Sequence, residues 1–312
     1  MFRPIVTVSL CPAIDSTIYI DHLTSNLPNI VLNEIKESAG KGINLSRALK
    51  NLGIDTIPVV LLGKENMEAY LKGLEHDDFE LETIVNSGAT RENITIATND
   101  SEFYKLDRSG FVADEDAITG VNRVLRRYSL RNALIVFSGR LPDGVSFEDF
   151  AVLCKTADAG NAKIAIDSAS LTLEQIISLK PWLIKPNLDE FCKLTGRTAM
   201  SELDIAKKSH EIMRLGVENV AVSLGERGLV FSCASGSYLA VVPKVEVRSP
   251  VGAGDCALAG FVYAAQNAFK GDEACRLAAA LGTAKCMVPG SAPPKSSDLQ
   301  AVIPHVSVTK LL

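Results

Sequence analysis

With 312 residues, 47% of them hydrophobic, the chain is long enough to bury a sizeable core as one large α/β domain or two smaller ones. A net charge of −5 without a basic run argues against a nucleic-acid surface, and no stretch nears the roughly 18 consecutive apolar residues of a membrane span. Seven cysteines stand singly with no CxxC pair and read as small buried hydrophobes of a reducing compartment; the opening Met1-Phe2-Arg3-Pro4 lacks an apolar leader core, so a soluble cytoplasmic protein is expected.

The first apolar run, Ile5 to Leu10, reads as a buried strand, and Asp15 to Lys36 follows with β-branched alternation such as Thr17-Ile18-Tyr19-Ile20. Helical periodicity takes over from Ile43 to Leu52, and another buried run lies at Ile57 to Leu62. Thr90 to Asp107, containing Asn93-Ile94-Thr95-Ile96-Ala97, returns to a strand pattern without an intervening helix. Runs at Ala133 to Phe137, Lys163 to Ile166, Trp182 to Ile184, Val220 to Leu224 and Leu229 to Ser232 then mostly alternate with helical segments such as Glu202 to Leu215. A β-like run, Tyr238 to Arg248, passes through Pro250 into Gly252-Ala253-Gly254-Asp255, and helix-like stretches follow at Cys256 to Phe269 and Cys275 to Met287. Buried strands alternating with helices predict an α/β fold whose mostly parallel sheet is covered on both faces. The stretches Asp15 to Lys36 and Thr90 to Asp107 break that rhythm and read as antiparallel strands of a small projecting sheet. Such a sheet would form a lid over the carboxyl ends of the main strands, where open α/β sheets bind ligands; the competing reading is an edge extension of the core.

Gly252-Ala253-Gly254-Asp255 has the makings of an anion pocket. Glycines let backbone N–H groups turn inward, and the following helix start adds free donors and the positive end of its dipole. The competing use of Asp255 is a plain helix N-cap. Two other nucleotide-binding schemes fare worse. Ser38-Ala39-Gly40-Lys41-Gly42 is no P-loop, because Lys36 stands where a glycine is needed and Gly42 where Ser or Thr is needed. Gly252-Ala253-Gly254-Asp255-Cys256-Ala257 satisfies G-x-G-x-x-A, but Asp272 opens another helix instead of ending a second strand, against a dinucleotide fold.

Several motifs in a shared order fit a third scheme. Val251-Gly252-Ala253-Gly254-Asp255, Lys185-Pro186-Asn187-Leu188-Asp189-Glu190, Val222-Ser223-Leu224-Gly225-Glu226-Arg227-Gly228, Ala39-Gly40-Lys41-Gly42-Ile43-Asn44 and Thr90-Arg91-Glu92-Asn93 resemble the signatures of the ribokinase-like, or phosphofructokinase B, sugar kinases. The resemblance runs over essentially the whole chain and is strongest to the 1-phosphofructokinase and tagatose-6-phosphate kinase branches. It implies a single ribokinase-like domain over 1–312, a three-layer α/β fold with a discontinuous β lid at about 15–36 and 90–107. It also implies ATP as co-substrate, Mg²⁺, a phosphorylated ketose as acceptor and a homodimer paired through the lid.

The resemblance assigns roles residue by residue. Asp255 would hold and deprotonate the acceptor hydroxyl, ionised at pH 7 if its pKa is the ordinary value of about 3.9, while the backbone N–H groups of Gly252, Ala253 and Gly254 stabilise the transferring phosphoryl group. Asn187 and Glu190, at i and i+3 on a helix start, would face a phosphate-bound Mg²⁺ through water; their alternative is helix capping. Ser223, Gly225, Gly228 and Gly254 would line the nucleotide pocket, and Lys185 would meet a nucleotide phosphate unless it is an exposed strand-end lysine. On the acceptor side, Asp15 and Asn44 would contact the sugar, with Gly40 beside them. Lys41 and Arg91 would grip its resident phosphate, Arg91 through a bidentate fork, with Ser138 as a further donor. The sequence departs from the family pattern at Cys11 for the usual Asn, Pro250 for Thr and Cys256 for Ser.

The expected reaction is transfer of the γ-phosphoryl group of ATP to fructose 1-phosphate, giving fructose 1,6-bisphosphate. Tagatose 6-phosphate and fructose 6-phosphate are alternative acceptors. A non-catalytic sugar-phosphate sensor is the alternative of another class, motivated by Cys11, and a nicotinamide-dependent dehydrogenase ranks third.

Overall fold

The computed structural model describes residues 4–100, 103–130 and 132–312; the first three residues and 101–102 of the second strand-like stretch lie outside the described residues. β1 (Ile5–Ser9) leads to β2 (Ala13–Ile20), β3 (Asn33–Ala39), α1 (Lys41–Asn51), β4 (Ile57–Gly63), α2 (Met67–Lys72) and β5 (Glu82–Asn86). Next come β6 (Arg91–Thr98), β7 (Phe103–Leu106), α3 (Glu115–Tyr128), β8 (Leu134–Ser138), α4 (Phe147–Asp158), β9 (Lys163–Asp167), α5 (Leu173–Leu179), β10 (Leu183–Ile184), α6 (Leu188–Thr195) and α7 (Glu202–Arg214). The chain closes with β11 (Asn219–Ser223), β12 (Leu229–Cys233), β13 (Gly236–Val241), α8 (Ala253–Gln266), α9 (Gly271–Cys286), α10 (Ser296–Val302) and β14 (Ser307–Lys310).

Among the described residues these strands form two sheets. The large one has the order β14-β13-β12-β11-β10-β9-β8-β1-β4-β5, parallel from β5 to β11 and antiparallel beyond. Its inner strands are mostly apolar because both faces are covered: on β8, Ile135 and Phe137 pack into one core with α3 and α4, while Leu134 and Val136 pack into a second core with α1, α8 and α9. The fold is thus α/β with a large, mostly parallel sheet and a smaller one. Two edge strands, β5 and β14, escape sequence reading because they are short and polar residues, Glu82, Thr83 and Asn86 in one and Ser307, Thr309 and Lys310 in the other, interrupt any apolar run. The run Tyr238 to Arg248 is strand only to Val241; its partner β14 pairs with Tyr238 to Val241, and Pro243, which has no N–H to give a ladder, stands two residues beyond.

The small sheet has the order β3-β2-β6-β7. β2/β3 and β6/β7 are antiparallel as expected, but β2 and β6 meet in parallel, Ala13 opposite Arg91 through Ile20 opposite Thr98. Alternation along this register places Asp15, Arg91 and Asn93 on one face, and farther out on the same face Tyr19, Ile35 and Phe103 stand exposed.

Candidate active site

A cleft of about 390 Å³ runs between the carboxyl ends of the main strands and the inner face of the small sheet. It is lined by Ala13, Asp15, Gly40, Lys41, Asn44, Arg91, Asn93, Asp167, Lys185, Asn187, Glu190, Ser223, Val251, Gly252, Gly254 and Asp255. Residues from Ala13 to Asp255 converge here because β2, β6, β9, β10 and β11 and the starts of α1, α6 and α8 all reach this end of the fold.

Gly252 takes a left-handed φ of 81° and hands the chain to α8, so that Asp255 falls in the first turn. The Asp255 carboxylate is 5% exposed and its Oδ2 accepts from Asn44 Nδ2 of α1 at 2.8 Å. Burial, helped by the nearby Asp167 carboxylate, pushes Asp255 up to about 6, with Lys41, Asn44 and Lys185 pulling the other way. The base candidate is therefore much less acidic than an ordinary Asp. Asn44 Oδ1, by contrast, is buried with no partner among the described residues, an acceptor facing the same corner.

Asp167, the last residue of β9, is a site residue that sequence reading missed. It is almost fully buried; Lys41 Nζ donates to its Oδ1 at 3.3 Å, and Lys185 Nζ lies 3.5 Å from its Oδ2. Lys185 is itself only 5% exposed, which removes the reading of a solvated strand-end lysine. Burial opposes the Lys41 ammonium, but the carboxylates of Asp167, Asp255 and Glu190 outweigh it and hold Lys41 above the usual lysine range. A Cβ on Gly254 would stand 3.3 Å from Lys185 Nζ, so the absence of a side chain there gives the lysine its room.

Among the described residues the N–H groups of Gly252 and Gly254 donate to nothing, whereas that of Ala253 is used by the Pro250 carbonyl at 3.2 Å. Ala253 does not line the cleft, and of the three expected donors its N–H is the one already engaged. Gly225 and Gly228 likewise lie outside the lining: they bracket a short 3₁₀ turn between β11 and β12. Gly228 has a packing reason to be glycine, since with φ 98° its Cβ would fall 1.9 Å from the Ala240 carbonyl oxygen. Ser223 does reach the cleft, its N–H tied to Pro186 O at 3.1 Å beside Asn187.

Asn187 and Glu190 form a capping box at the start of α6. Glu190 N donates to Asn187 Oδ1 and Asn187 N to Glu190 Oε2, both at 2.8 Å. The capping alternative and the cleft-lining position therefore coexist, leaving Glu190 one carboxylate oxygen for other work. No cluster of three His, Cys, Asp or Glu suited to a metal occurs among the described residues, so the chain offers no closed cage. A carboxylate lining a cleft with two lysines suits instead the habit of Mg²⁺, which takes one or two carboxylates and completes its shell with phosphate and water.

On the small sheet, Asp15 Oδ1 accepts from Asn93 Nδ2 at 2.9 Å; Asn93, quoted in the motif without a role, belongs to the site. Burial raises the Asp15 carboxyl above its ordinary value against the pull of Asn93 and Arg91. Arg91 lines the cleft, its Nε donating to Pro12 O at 3.3 Å and its Nη1 to Asn93 Oδ1 at 3.5 Å. Ser138 is buried at the end of β8 with an unpartnered Oγ among the described residues, but it falls outside the lining. Arg140, also unforeseen, directs Nε at Cys11 Sγ, 3.4 Å away, and Nη2 at the carbonyl of Arg108, 3.1 Å away. The thiol at position 11 is thus tied to the 108–109 segment through a guanidinium.

Chemically, the cleft sets a buried carboxylate at a helix start beside a glycine loop with free donors among the described residues, facing three cations and a hydrogen-bonded Asp–Asn pair. That set can position an alcohol against a transferring phosphoryl group. Comparison with known proteins agrees. A model of the pfkB family of carbohydrate kinases matches residues 8–298. The 1-phosphofructokinase of Escherichia coli (strain K12) is 31% identical over 285 residues, covering 90% of each chain, and that of Rhodobacter capsulatus is 29% identical, covering 98% of each. The structure of phosphofructokinase-2 from Escherichia coli in complex with substrates and products aligns with a TM-score of 0.89 at 25% identity, covering 96% of this chain and 98% of that one. The chain belongs to the pfkB family of carbohydrate kinases, enzymes that transfer a phosphoryl group to a sugar hydroxyl.

Proposed function

We propose that this kinase transfers the γ-phosphoryl group of ATP to fructose 1-phosphate, with Asp255 as the base. The observation that carries the reading is the Asp255 corner: a buried, hydrogen-bonded carboxylate whose pKa is raised to about 6, next to glycine N–H groups that have no partner among the described residues. A carboxylate so tuned is a better proton acceptor than an ordinary Asp while remaining mostly ionised at pH 7. Asn44 holds it by one oxygen and offers Oδ1 to an incoming hydroxyl. Asp15 and Asn93 orient the sugar from the small sheet. The acceptor's own phosphate is gripped by Arg91 and Lys41, and the polyphosphate by Lys185. Closure of the small sheet as a lid excludes water and suppresses ATP hydrolysis. Glu190 and Asn187 are the residues that would hold a phosphate-borne Mg²⁺, which supplies charge neutralisation on the transferring group.

Fructose 1-phosphate is chosen over tagatose 6-phosphate and fructose 6-phosphate because the curated relatives at 28–31% identity carry the name 1-phosphofructokinase. The test is ADP release with ATP and each of these three sugar phosphates or free fructose, comparing kcat/KM for wild type and Arg91→Ala. Wild type is expected to favour fructose 1-phosphate. Loss of a charged hydrogen-bonding fork, worth about 1.5–3 kcal/mol, should raise KM for the phosphosugar roughly 10- to 100-fold and leave that for free fructose nearly unchanged. A preference for another phosphosugar would correct the acceptor, and silence with all four in a folded, ATP-binding protein would favour the sensor reading.

The exposed Tyr19, Ile35 and Phe103, on the cleft-side face of the small sheet, support a second copy of the chain pairing there. A solution mass by light scattering near twice 33.4 kDa is expected, and the monomer mass would exclude it.

A further inference from the structure

Behind the anion loop lies a lysine that the proposed phosphoryl transfer does not use. Lys285, in the last turn of α9, is completely buried. Its Nζ donates to two backbone carbonyls, Val288 at 3.2 Å and Gly290 at 3.1 Å, and no salt bridge holds it among the described residues. Its Cε stands 3.6 Å from where a Cβ on Gly252 would sit, so the stem underlies the anion loop itself. The same corner fastens the run into that loop, since the N–H groups of Arg248 and Ser249 donate to Cys286 O at 2.8 and 3.2 Å. On its far side, Ser291 Oγ donates to Glu37 Oε1 of β3 at 2.9 Å. The anion loop, the end of α9 and a strand of the small sheet therefore meet around one buried ammonium.

A lysine near a helix C-terminus ordinarily caps the last carbonyls with its head in water. Complete burial is a different matter, because desolvating an ammonium costs several kcal/mol and an apolar residue would fill the same space without that cost. Burial accordingly pulls Lys285 below the usual lysine range, against the influence of Cys256, Cys286 and Glu37. Converging carbonyl oxygens are the ligands with which proteins replace the hydration shell of a small monovalent cation. We propose that Lys285 is a positioning residue for phosphoryl transfer, its ammonium serving as a built-in monovalent cation that holds the 288–290 carbonyls against the Gly252 loop. The inference rests on assigning that loop to the transferring phosphoryl group. Because the cation is covalently attached, turnover does not call for a dissolved one.

The test measures ADP release by the full chain in buffers whose only monovalent cation is tetramethylammonium, then with potassium or ammonium chloride titrated in. Wild type is expected to turn over equally fast in all three. Lys285→Ala, which empties the slot, should lose roughly 10²-fold in kcat in tetramethylammonium through misplacement of the loop, with KM for the phosphosugar little changed. Potassium or ammonium should restore much of that loss saturably. Lys285→Met, which fills the slot with an apolar stem, should be equally slow and gain nothing from either ion. Saturable stimulation of wild type by potassium or ammonium would overturn the proposal, and this series needs no variant to fold. So would a folded Lys285→Ala that is as fast as wild type in tetramethylammonium, or one that stays slow with both ions. Wild-type silence on every acceptor, by contrast, would strike at the kinase assignment of the site and bring this inference down with it.

Discussion

Replacing Asp255 by Asn is expected to lower kcat by roughly 10²- to 10⁴-fold, the range of general-base contributions, while leaving the fold intact. The amide keeps the size of the carboxylate and can still accept from Asn44 Nδ2, so what is lost is the ability to take a proton. Wild-type kcat/KM should correspondingly fall as pH drops below about 6, where the Asp255 carboxylate becomes protonated, and this acid limb should vanish from the residual activity of the variant. The same shift has a sign for stability. A carboxyl whose pKa is raised on folding from about 3.9 to about 6 binds its proton more tightly when folded, so its contribution is favourable at low pH and is lost as pH rises through that window. At pH 8 the ionised group costs about 3 kcal/mol, and Asp255→Asn should be at least as stable as wild type there. A variant that is inactive and melts early at pH 8 would mean a structural role, and one within a few-fold of wild-type activity would remove Asp255 as the base.

The parts of this site that could be read from the sequence are those written in local chemistry. Gly252 and Gly254 around Asp255, the Asn187–Glu190 spacing and the Gly40-Lys41 turn each place donors, acceptors or backbone freedom within a few residues. They could be recognised before any fold was known. Asp167 could not, because an acidic residue closing the run Lys163 to Ile166 looks like any strand end. Only the convergence of β9 with the start of α1 puts it against Lys41, 126 positions away. Burial was equally invisible: Lys185 could be named as a phosphate ligand, but its enclosure beside Asp167 is a property of packed strands. For Gly228 the motif match carried no sign of the packing role that its φ and its approach to Ala240 also give it. In the fold, the inner parallel strands declared themselves through apolar runs, whereas β5 and β14 at the edges are short and interrupted by polar residues, which hides them.

Replacing Asp167 by Asn should produce two effects that a merely structural carboxylate would not combine. Without substrate, Asp167 is the charge partner of Lys185 and Lys41, and the isosteric amide leaves the buried Lys185 ammonium without it. Removing one partner of a buried pair costs about 3–5 kcal/mol, and at 3.5 Å this pair belongs at the lower end, so Tm should fall by roughly 5–10 °C. Lys41, 39% exposed, recovers much of its loss from water. Because the two freed cations face the proposed phosphate sites, ATP should raise the Tm of the variant by more than it raises that of wild type. The second effect is on the base. After burial, the Asp167 carboxylate is the next influence keeping the Asp255 pKa high. Its neutralisation should therefore move the acid limb of the pH–rate profile below that of wild type, and activity near pH 5 should hold up better relative to each enzyme's plateau. A lowered Tm with an unmoved acid limb would confine Asp167 to balancing the lysines. An unmoved Tm would show that the two ammoniums are neutralised by some other group, and the charge arrangement drawn here for the cleft would fall.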